Sequence, residues 1–215
     1  MSAKRLATFR DKMLQAEDLM FERNGCTIFS GVNFHLNEGE LLLLQGINGC
    51  GKSTLLRILT SLMRPHQGFV NSYGENIHTN RYEYLRNITF IGHQLALKSA
   101  LSPLDNLCWA ASSSKERQYV FQAMDEMGLS AVSRLPCYRL SAGQLKRVAL
   151  TRLFLSNAKL WLLDEPFAAL DFSGVSIIEK LIERHLSQNG SVLMTSHQDL
   201  SLLNIRKIDM SIWCR

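Results

Sequence analysis

A continuous apolar run, a glycine-rich loop and an amphipathic segment follow one another between Leu41 and Leu62. Leu41–Leu44 has the pattern of a strand buried on both faces. The apolar residues after the loop are spaced as in a helix that ends before Pro65. Between them, the eight residues from Gly46 to Ser53 fit G-x-x-x-x-G-K-[ST], a loop that binds phosphates. A strand, a phosphate loop and a helix in this order predict an α/β fold.

The residue types of this loop follow from phosphate chemistry. Glycines let successive backbone N–H groups converge on phosphate oxygens, and the N-terminus of the next helix adds a favourable field. We expect Lys52 to reach the β- and γ-phosphates of ATP and Ser53 to offer its hydroxyl to Mg²⁺. An ordinary glycine-rich turn rarely carries Lys-Ser at this position. The predicted nucleotide-binding residues here are Gly46, Ile47, Asn48, Gly49, Cys50, Gly51, Lys52, Ser53 and Thr54.

Two carboxylates and a histidine come after two further apolar runs. Leu160–Leu163 is a predicted strand that ends at Asp164 and Glu165. After a phosphate loop, an Asp at a strand tip holds Mg²⁺ through its water shell, and we expect the adjacent Glu to polarise the attacking water. Losing such a positioned base typically costs about 10²–10⁴ in rate. His197 follows another predicted strand, 191–195, and is expected to sense or polarise the γ-phosphate.

The remaining patterns predict strands and helices alternating around a helical block at about 95–155. Ser141 and Gln144 have the spacing of a capping box that begins a helix running to about Leu155. The other predicted elements are an edge strand at 14–21, an antiparallel strand at 28–36, a buried strand at 88–91, a broken helical stretch at 104–127, a helix at 173–188 and a last strand containing Ile212 and Trp213.

The sequence LSAGQ at Leu140–Gln144 separates this chain from other phosphate-loop proteins. With its flanking motifs in their fixed order, the chain resembles the ATP-binding-cassette (ABC) ATPases over almost all of residues 14–213. The resemblance implies an α/β phosphate-loop NTPase core of ABC ATPase type, with an antiparallel β subdomain and an inserted helical subdomain. The expected domain spans 14–215, after a tail at 1–13 that we expect to be flexible; Met13 is an alternative start.

In ABC ATPases the LSAGQ-type signature binds the γ-phosphate of an ATP held by the opposite subunit. The resemblance therefore implies that Ser141, Ala142, Gly143 and Gln144 complete the site of a second copy in a head-to-tail dimer. Ala142 replaces the usual second glycine of the signature. Its side chain is small, so a close backbone approach is still expected.

Two further positions match the family, and a third departs from it. Gln94 resembles the glutamine that contacts Mg²⁺ and water and links the site to the membrane partner, which gives it an expected catalytic and metal-binding role. Asp171 resembles the last residue of the D-loop at the dimer interface. Arg23 stands where an aromatic usually stacks on adenine, and a guanidinium can also stack on a base. Phe21 is the alternative at that position, although a core role suits it better.

Composition limits the cellular setting. Most of the net charge of +5 lies in residues 1–12, so the charge balance does not indicate a nucleic-acid partner. No apolar run reaches the roughly 18–20 residues that span a bilayer, and no signal peptide is recognisable. We therefore expect a soluble chain that reaches the membrane through a partner. Five cysteines without a C-x-x-C pair favour neither a disulfide framework nor a zinc site, and fit a reducing cytoplasm.

Cys50 lies inside the phosphate loop, close to a helix N-terminus and Lys52, surroundings that favour a reactive thiol. We predict that thiol alkylation inhibits ATP hydrolysis and that ATP protects against it. Alkylation of Cys50 that left hydrolysis intact would contradict this prediction. An inert small residue is an equally good interpretation of this position.

Within the family, three stretches resemble the ATPase subunits of haem-export and cytochrome c maturation systems. They are residues 91–107, 139–171 and 195–200. The resemblance implies integral membrane partners at the inner face of a bacterial membrane, where ATP hydrolysis would drive release of a haem-loaded chaperone. None of these residues binds haem, so the cargo does not follow from the chemistry.

Three alternatives stay open at this point. An exporter ATPase for a drug, lipid or lipoprotein would co-purify with a different membrane subunit. A soluble ATP-dependent switch on nucleic acid or ribosomes is disfavoured, because the chain has neither a long coiled coil nor a second cassette. A nucleotide-binding scaffold without turnover is disfavoured because Lys52, Asp164, Glu165 and His197 are all present.

Overall fold

The computed structural model describes residues 12–111, 117–197, 202 and 204–214. The described residues form nine strands in two sheets. The strands are β1 (Lys12–Arg23), β2 (Cys26–Asn37), β3 (Leu41–Gln45), β4 (Gln67–Ser72), β5 (Glu75–Asn76), β6 (Ile88–Ile91), β7 (Leu160–Leu163), β8 (Ser191–Thr195) and β9 (Ile205–Asp209). The predicted tail lies outside the described residues except for Lys12 and Met13, which open β1.

The larger sheet has the order β6-β7-β8-β3-β9, and every neighbouring pair in it is parallel. The carboxyl ends of its strands therefore meet at one edge. Leu44 of β3 pairs with Thr195 of β8, and Leu163 of β7 pairs with Met194. Strand β8 thus separates the strand before the phosphate loop from the strand before the two carboxylates.

This sheet is covered on both faces. In β3, Leu42 and Leu44 belong to the core shared with the antiparallel sheet, whereas Leu41 and Leu43 belong to the core shared with the helices of the opposite face. All four leucines are at most 2% exposed. The continuous apolar run is thus a strand with two buried faces, as predicted.

Most helices of the described residues pack on the face of the parallel sheet opposite the antiparallel sheet, or lie in an inserted lobe. They are α1 (Lys52–Leu59), α2 (Arg81–Arg86), α3 (Pro103–Ala110), α4 (Arg117–Glu126), α5 (Ala142–Leu155) and α6 (Phe172–Ser187). Helices α3 to α5 lie within the range 95–155, and the stretch 112–116 between α3 and α4 is outside the described residues. No helix in the described part of the chain has the length and apolarity to cross a membrane.

Two local expectations were wrong. Strand β1 is not an edge strand, because it lies between β2 and β4 in the order β2-β1-β4-β5. Strand β4 has no alternation of apolar and polar residues that would predict it, because Val70 is its one fully buried side chain. Ile212 and Trp213 belong to a 3₁₀ turn, Met210–Trp213, and the last strand is β9. The Asp209 side chain accepts a hydrogen bond from the N–H of Ser211 at 2.8 Å, which begins the turn.

Candidate functional site

An open cavity of about 280 Å³ lies at the carboxyl edge of the parallel sheet. It is lined by side chains and backbone from the end of β1, the phosphate loop and the segments after β7 and β8. The lining residues that the sequence singled out are Arg23, Asn48, Gly49, Gly51, Lys52, Ser53, Thr54, Asp164, Glu165 and His197. Motifs up to about 150 residues apart in sequence are therefore brought to one surface by the strand order.

Lys52 lies folded over its own loop. Its Nζ donates to the carbonyl of Gly46 at 2.6 Å and to the carbonyl of Ile47 at 3.1 Å. The residue is 9% exposed, and these bonds compensate the burial of its ammonium. The backbone supports this arrangement through Gly51, which has φ +90° directly before α1. A Cβ there would lie 2.7 Å from Cδ1 of Phe29, so a larger residue does not fit.

Thr195 connects the two carboxylate residues. Its hydroxyl donates to Oδ1 of Asp164 at 2.9 Å and accepts the N–H of Glu165, also at 2.9 Å. Asp164 is 4% exposed and Thr195 is fully buried, so neither bond competes with bulk water. The backbone of Asp164 is fixed as well, because its N–H donates to the carbonyl of Ile91 on β6. The tip of β7 is thereby held by both of its neighbouring strands.

Glu165 has a strained backbone and a free carboxylate oxygen. Its φ is +48°, a left-handed conformation that costs a non-glycine residue about 1–3 kcal/mol. Oε1 is buried without a hydrogen bond among the described residues. His197 Nε2 lies 3.5 Å from this oxygen, outside good hydrogen-bonding distance. A buried acceptor without a partner at a strand tip is suited to bind a water or substrate hydrogen.

The signature residues do not line this cavity. Ser141 and Gln144 form the predicted capping box at the start of α5, and Ser141 is exposed. The tight backbone approach occurs at Gly143, where a Cβ would lie 2.8 Å from the carbonyl of Ala169. Ala142 is exposed and meets no such limit. Within one copy, the signature therefore stands apart from the phosphate loop.

The D-loop is attached to the signature helix. Arg147 of α5 donates to the carboxylate of Asp171, which also accepts the N–H of Gly174 at 3.0 Å and caps α6. The Gly174 hydrogen bond and then Arg147 hold the pKa of Asp171 below its usual value. These bonds link α5 to the start of α6.

Other predicted residues lie around the cavity. Gln94 is exposed after β6 and does not line the cavity. Cys50 is buried beneath the loop at 3% exposure, which limits the access of an alkylating reagent. Arg23 lines the cavity and is exposed, whereas Phe21 is buried against Phe29 and His66. The geometry is thus consistent with Arg23 as the base-stacking residue and Phe21 as a core residue.

Sequence reasoning missed three contributors to this region. Thr195 was noted as a strand residue, and nothing local marks it as the link between Asp164 and Glu165. Arg147 is the third residue after the signature, and no sequence feature reveals its partner. Lys146 is 6% exposed, and burial lowers its pKa against the opposing charges of Asp164 and Glu165. These roles depend on which strands and helices become neighbours.

Comparisons with known proteins agree with this geometry. A sequence profile of the ABC transporter family matches residues 29–168. The cytochrome c biogenesis ATP-binding export protein CcmA of Escherichia coli K12 is 42% identical over 201 residues, which cover 93% of this chain and 97% of the relative.

Two solved structures show the same fold. An ABC transporter ATP-binding protein from Pyrococcus furiosus superposes with a TM-score of 0.79 at 22% identity, covering 94% of this chain and 99% of the other. An ATP-binding cassette solved as a dimer in a post-hydrolysis state with ADP and Pi superposes with a TM-score of 0.76 at 22% identity, covering 93% and 95%. At this identity they bear on the fold alone.

Proposed function

Because the chain belongs to the ABC transporter family of ATP-binding proteins, we propose that it is the ATP-hydrolysing subunit of a membrane complex for haem export and cytochrome c maturation. The observation that carries the ATPase part is the meeting of Lys52, Asp164 and Glu165 around one cavity. The identity of 42% to a cytochrome c biogenesis ATPase, over nearly the whole of both chains, supports the assignment of the cargo system.

The loop and Lys52 bind the phosphates of ATP. The Lys52 ammonium is hydrogen-bonded to two loop carbonyls, and the phosphates of ATP would replace these acceptors. A charge-assisted bond to phosphate is stronger than a bond to a neutral carbonyl, so the exchange favours binding. Arg23, exposed at the edge of the cavity, stacks on the adenine.

The chain's residues fit a magnesium ion. Thr195 engages one carboxylate oxygen of Asp164, so the other can face a cation, and Ser53 lines the same cavity. Among the described residues, no three His, Cys, Asp or Glu side chains are grouped so that they could hold a metal ion. Ser53 and Asp164 would hold Mg²⁺, which when bound neutralises charge on the β- and γ-phosphates. Gln94, which does not line this cavity, would have to move towards it to join them.

Glu165 orients the attacking water. Its free Oε1 accepts a hydrogen from the water, and Thr195 fixes the backbone that carries it. His197, exposed beside this oxygen, contacts the γ-phosphate. Positioning and electrostatic stabilisation supply most of the catalysis in phosphoryl transfer, so the fixed location of these groups is the essential feature.

We further propose that hydrolysis requires two copies of the chain. Ser141 is exposed and lies outside the cavity of its own copy, so that it can complete the cavity of a second one. Ser141, Ala142, Gly143 and Gln144 would then face the partner's γ-phosphate, with Asp171 at the interface. A cassette with the same fold was solved as a dimer bound to ADP and Pi, which supports the participation of a second copy.

The membrane partners are integral subunits similar to CcmB and CcmC, and the chain binds them at the cytoplasmic face of the bacterial inner membrane. A cleft of about 540 Å³ between the edge strand β6 and the ends of α3 and α5 is a suitable surface. Arg152 in this cleft donates to the carbonyl of Leu95 at 3.3 Å, directly after Gln94. A segment docked there would thus be linked to the nucleotide site.

The test is a tagged pull-down from detergent-solubilised membranes with wild type and Glu165→Gln, which should trap the ATP-bound dimer. We expect CcmB-like and CcmC-like subunits to be recovered. Recovery of an unrelated permease would retain the ATPase and overturn the haem assignment in favour of another exporter of a drug, lipid or lipoprotein. Recovery of no membrane protein would favour a soluble ATP switch.

A matched variant separates membrane docking from nucleotide chemistry. Ala110 is exposed and lines the cleft, so Ala110→Arg should abolish the pull-down and leave ATP-dependent self-association of the Glu165→Gln protein intact. Retention of the membrane subunits by this variant would place their contact elsewhere.

A further inference from the structure

Two free cysteines that are 164 residues apart in sequence meet behind the phosphate loop. The thiol of Cys214 donates to the carbonyl of Cys50 at 3.0 Å and to the carbonyl of Met210 at 3.2 Å. Cys50 is buried and Cys214 is half-buried. The Cys214 thiol is thus in contact with the backbone of Cys50, and a disulfide requires the two side chains to turn towards each other until their sulfurs are about 2.05 Å apart.

The turn that carries Cys214 is packed against the loop at several other points. The Oγ of Ser211 accepts the N–H of Ile47 at 3.4 Å. A Cβ at Gly46 would lie 2.8 Å from Sγ of Cys50, 3.2 Å from Oγ of Ser211 and 3.3 Å from Cβ of Met210. The Cys50 side chain therefore fills the space beneath Gly46, and the turn forms the floor of the loop.

Cys214 is also fixed from the other side. It forms an isolated antiparallel bridge with Phe29, whose ring lies against Gly51 at the end of the same loop. Burial, followed by the charge and hydrogen bond of Cys50, raises the pKa of Cys214 to about 11. At neutral pH Cys214 is thus a protonated thiol held against Cys50, and it stays reduced until an oxidant acts.

We propose that Cys50 and Cys214 form an oxidation site in which a peroxide converts the two thiols into an intramolecular disulfide. The Cys50 sulfur loses its proton and attacks hydrogen peroxide; the O–O bond breaks, Cys50 becomes a sulfenic acid, and the departing hydroxide takes up the proton as water. The sulfur of Cys214 then attacks the Cys50 sulfur, losing its proton as water departs. In total, two thiols and one peroxide give one disulfide and two waters, so two electrons pass from the sulfurs to the oxygens.

The cross-link would weaken nucleotide binding. An S–S bond is about 2.05 Å long, so the Cys50 sulfur must move out of the space beneath Gly46 towards Cys214. The loop N–H groups must stay within about 0.5 Å of their productive positions to converge on phosphate oxygens. We expect the affinity for ATP to fall at least about tenfold and to recover on reduction. This effect rests on the proposed function, whereas formation of the disulfide does not.

The cross-link is tested on the full chain with hydrogen peroxide as the oxidant. Peptide mass spectrometry without reduction should find Cys50 joined to Cys214 in the wild type, and not in Cys214→Ser, whose hydroxyl can keep the bond to the Cys50 carbonyl. Cys26→Ser, which removes an exposed thiol, is the matched control and should cross-link like the wild type. Sulfinic acid at Cys50, or a disulfide between two copies on a non-reducing gel, would overturn the proposal.

Binding of a fluorescent ATP analogue then tests the consequence. Oxidised wild type should bind at least about tenfold more weakly and regain affinity with dithiothreitol, while oxidised Cys214→Ser keeps its affinity. A complete cross-link that leaves the affinity unchanged would overturn the regulatory effect. A failure of the proposed function has a different result, because the reduced protein would then not bind the analogue, while the disulfide would still be detected by mass.

Discussion

At the scale of single residues, the site depends on a hydroxyl that has no chemical role of its own. Thr195 holds the carboxylate of Asp164 and the N–H of Glu165 at the same time, and both bonds are shielded from water. The positive φ of Glu165 is maintained by such surroundings, because an unsupported residue would relax to a commoner conformation. Thr195 is therefore a positioning residue for the proposed base.

Replacement of Thr195 by valine should lower both activity and stability. The variant keeps the side-chain shape and leaves a buried carboxylate oxygen and a backbone N–H without this partner, at about 1–3 kcal/mol for each group. Misplacement of Glu165 should reduce ATP hydrolysis at least about tenfold. Steady-state ATPase rates and chemical denaturation measure the two effects. Thr195→Ser, which keeps the hydroxyl, is the control, and equal losses in both variants would argue against the hydrogen-bond explanation.

Arg23 gives a second prediction at this scale. If its guanidinium stacks on adenine, Arg23→Ala should raise the KM for ATP about twofold to thirtyfold, the range expected from a lost cation–π contact of about 0.5–2 kcal/mol. The kcat should change little, because stacking is equal in the ground state and the transition state. Arg23→Lys keeps the charge and loses the plane. If lysine restores the wild-type KM, charge and not stacking explains the effect.

At the scale of elements, β7 and α6 are joined by a stacked pair of rings. Trp161 and His185 have ring centroids 3.7 Å apart and an interplanar angle of 5°. A Cβ at Gly190 would lie 2.3 Å from the His185 ring, so the loop before β8 also closes over it. Burial lowers the pKa of His185, against the opposing effect of the Lys159 and Ser191 carbonyls. The imidazole is therefore packed in its neutral form.

This packing predicts a pH dependence of stability. The pKa of His185 is lower in the folded chain than in the unfolded chain, so the unfolded state binds the proton first as the pH falls through about 6.5. The free energy of unfolding should be constant above that pH with respect to this group and should decrease below it. Denaturation at pH 7.5, 6.5 and 5.5 measures the effect.

His185→Phe keeps a ring and cannot titrate, so its stability should fall less steeply with acid. The pH dependence of the free energy of unfolding that remains in this variant is due in part to His35 and His78. The pKa values of these two histidines are also lowered, mainly by burial. An identical slope in the wild type and in this variant would contradict the role of His185.

At the scale of the whole molecule, the residues that one proposed active site requires lie at two separate places on a single copy of the chain. The signature residue Ser141 is exposed at the start of α5, while Lys52 and Glu165 line the cavity of the same copy. The bond between Arg147 and Asp171 links α5 to α6, so the signature helix and the D-loop are in direct contact. A second copy would therefore be engaged by both elements together.

The Glu165→Gln protein should become a dimer when ATP and Mg²⁺ are added, as measured by size-exclusion chromatography with light scattering. Adding Ser141→Asp should keep it a monomer, because the carboxylate repels the partner's γ-phosphate. Asp is as good an N-cap as Ser, so the helix itself should be unaffected. Ser99→Asp, at another exposed position of the same lobe, is the control and should still dimerise. A dimer in the Ser141→Asp protein would contradict the proposed interface.

The sequence by itself determined the chemistry and the elements that carry it. The phosphate loop, the Asp-Glu pair, the LSAGQ capping box and the doubly buried β3 are local patterns, because each depends on residues within about one helical turn or one strand of each other. Their order along the chain resembles the ABC ATPases, and the ABC profile match and the 42% identity to CcmA confirm that family. The roles assigned to single site residues stay predictions until they are tested.

The tertiary structure decided what lies next to what. Strand β8 lies between β3 and β7. This strand order alone brings the hydroxyl of Thr195 within hydrogen-bonding distance of both Asp164 and Glu165. Strands β4 and β9 were missed because their side chains are mostly exposed or half-buried, so their pairing is set by the backbone of distant strands and not by an apolar pattern. For the same reason β1 is an interior strand, and Cys214 meets Cys50. Long-range pairing depends on the packing of whole layers, which no local pattern encodes.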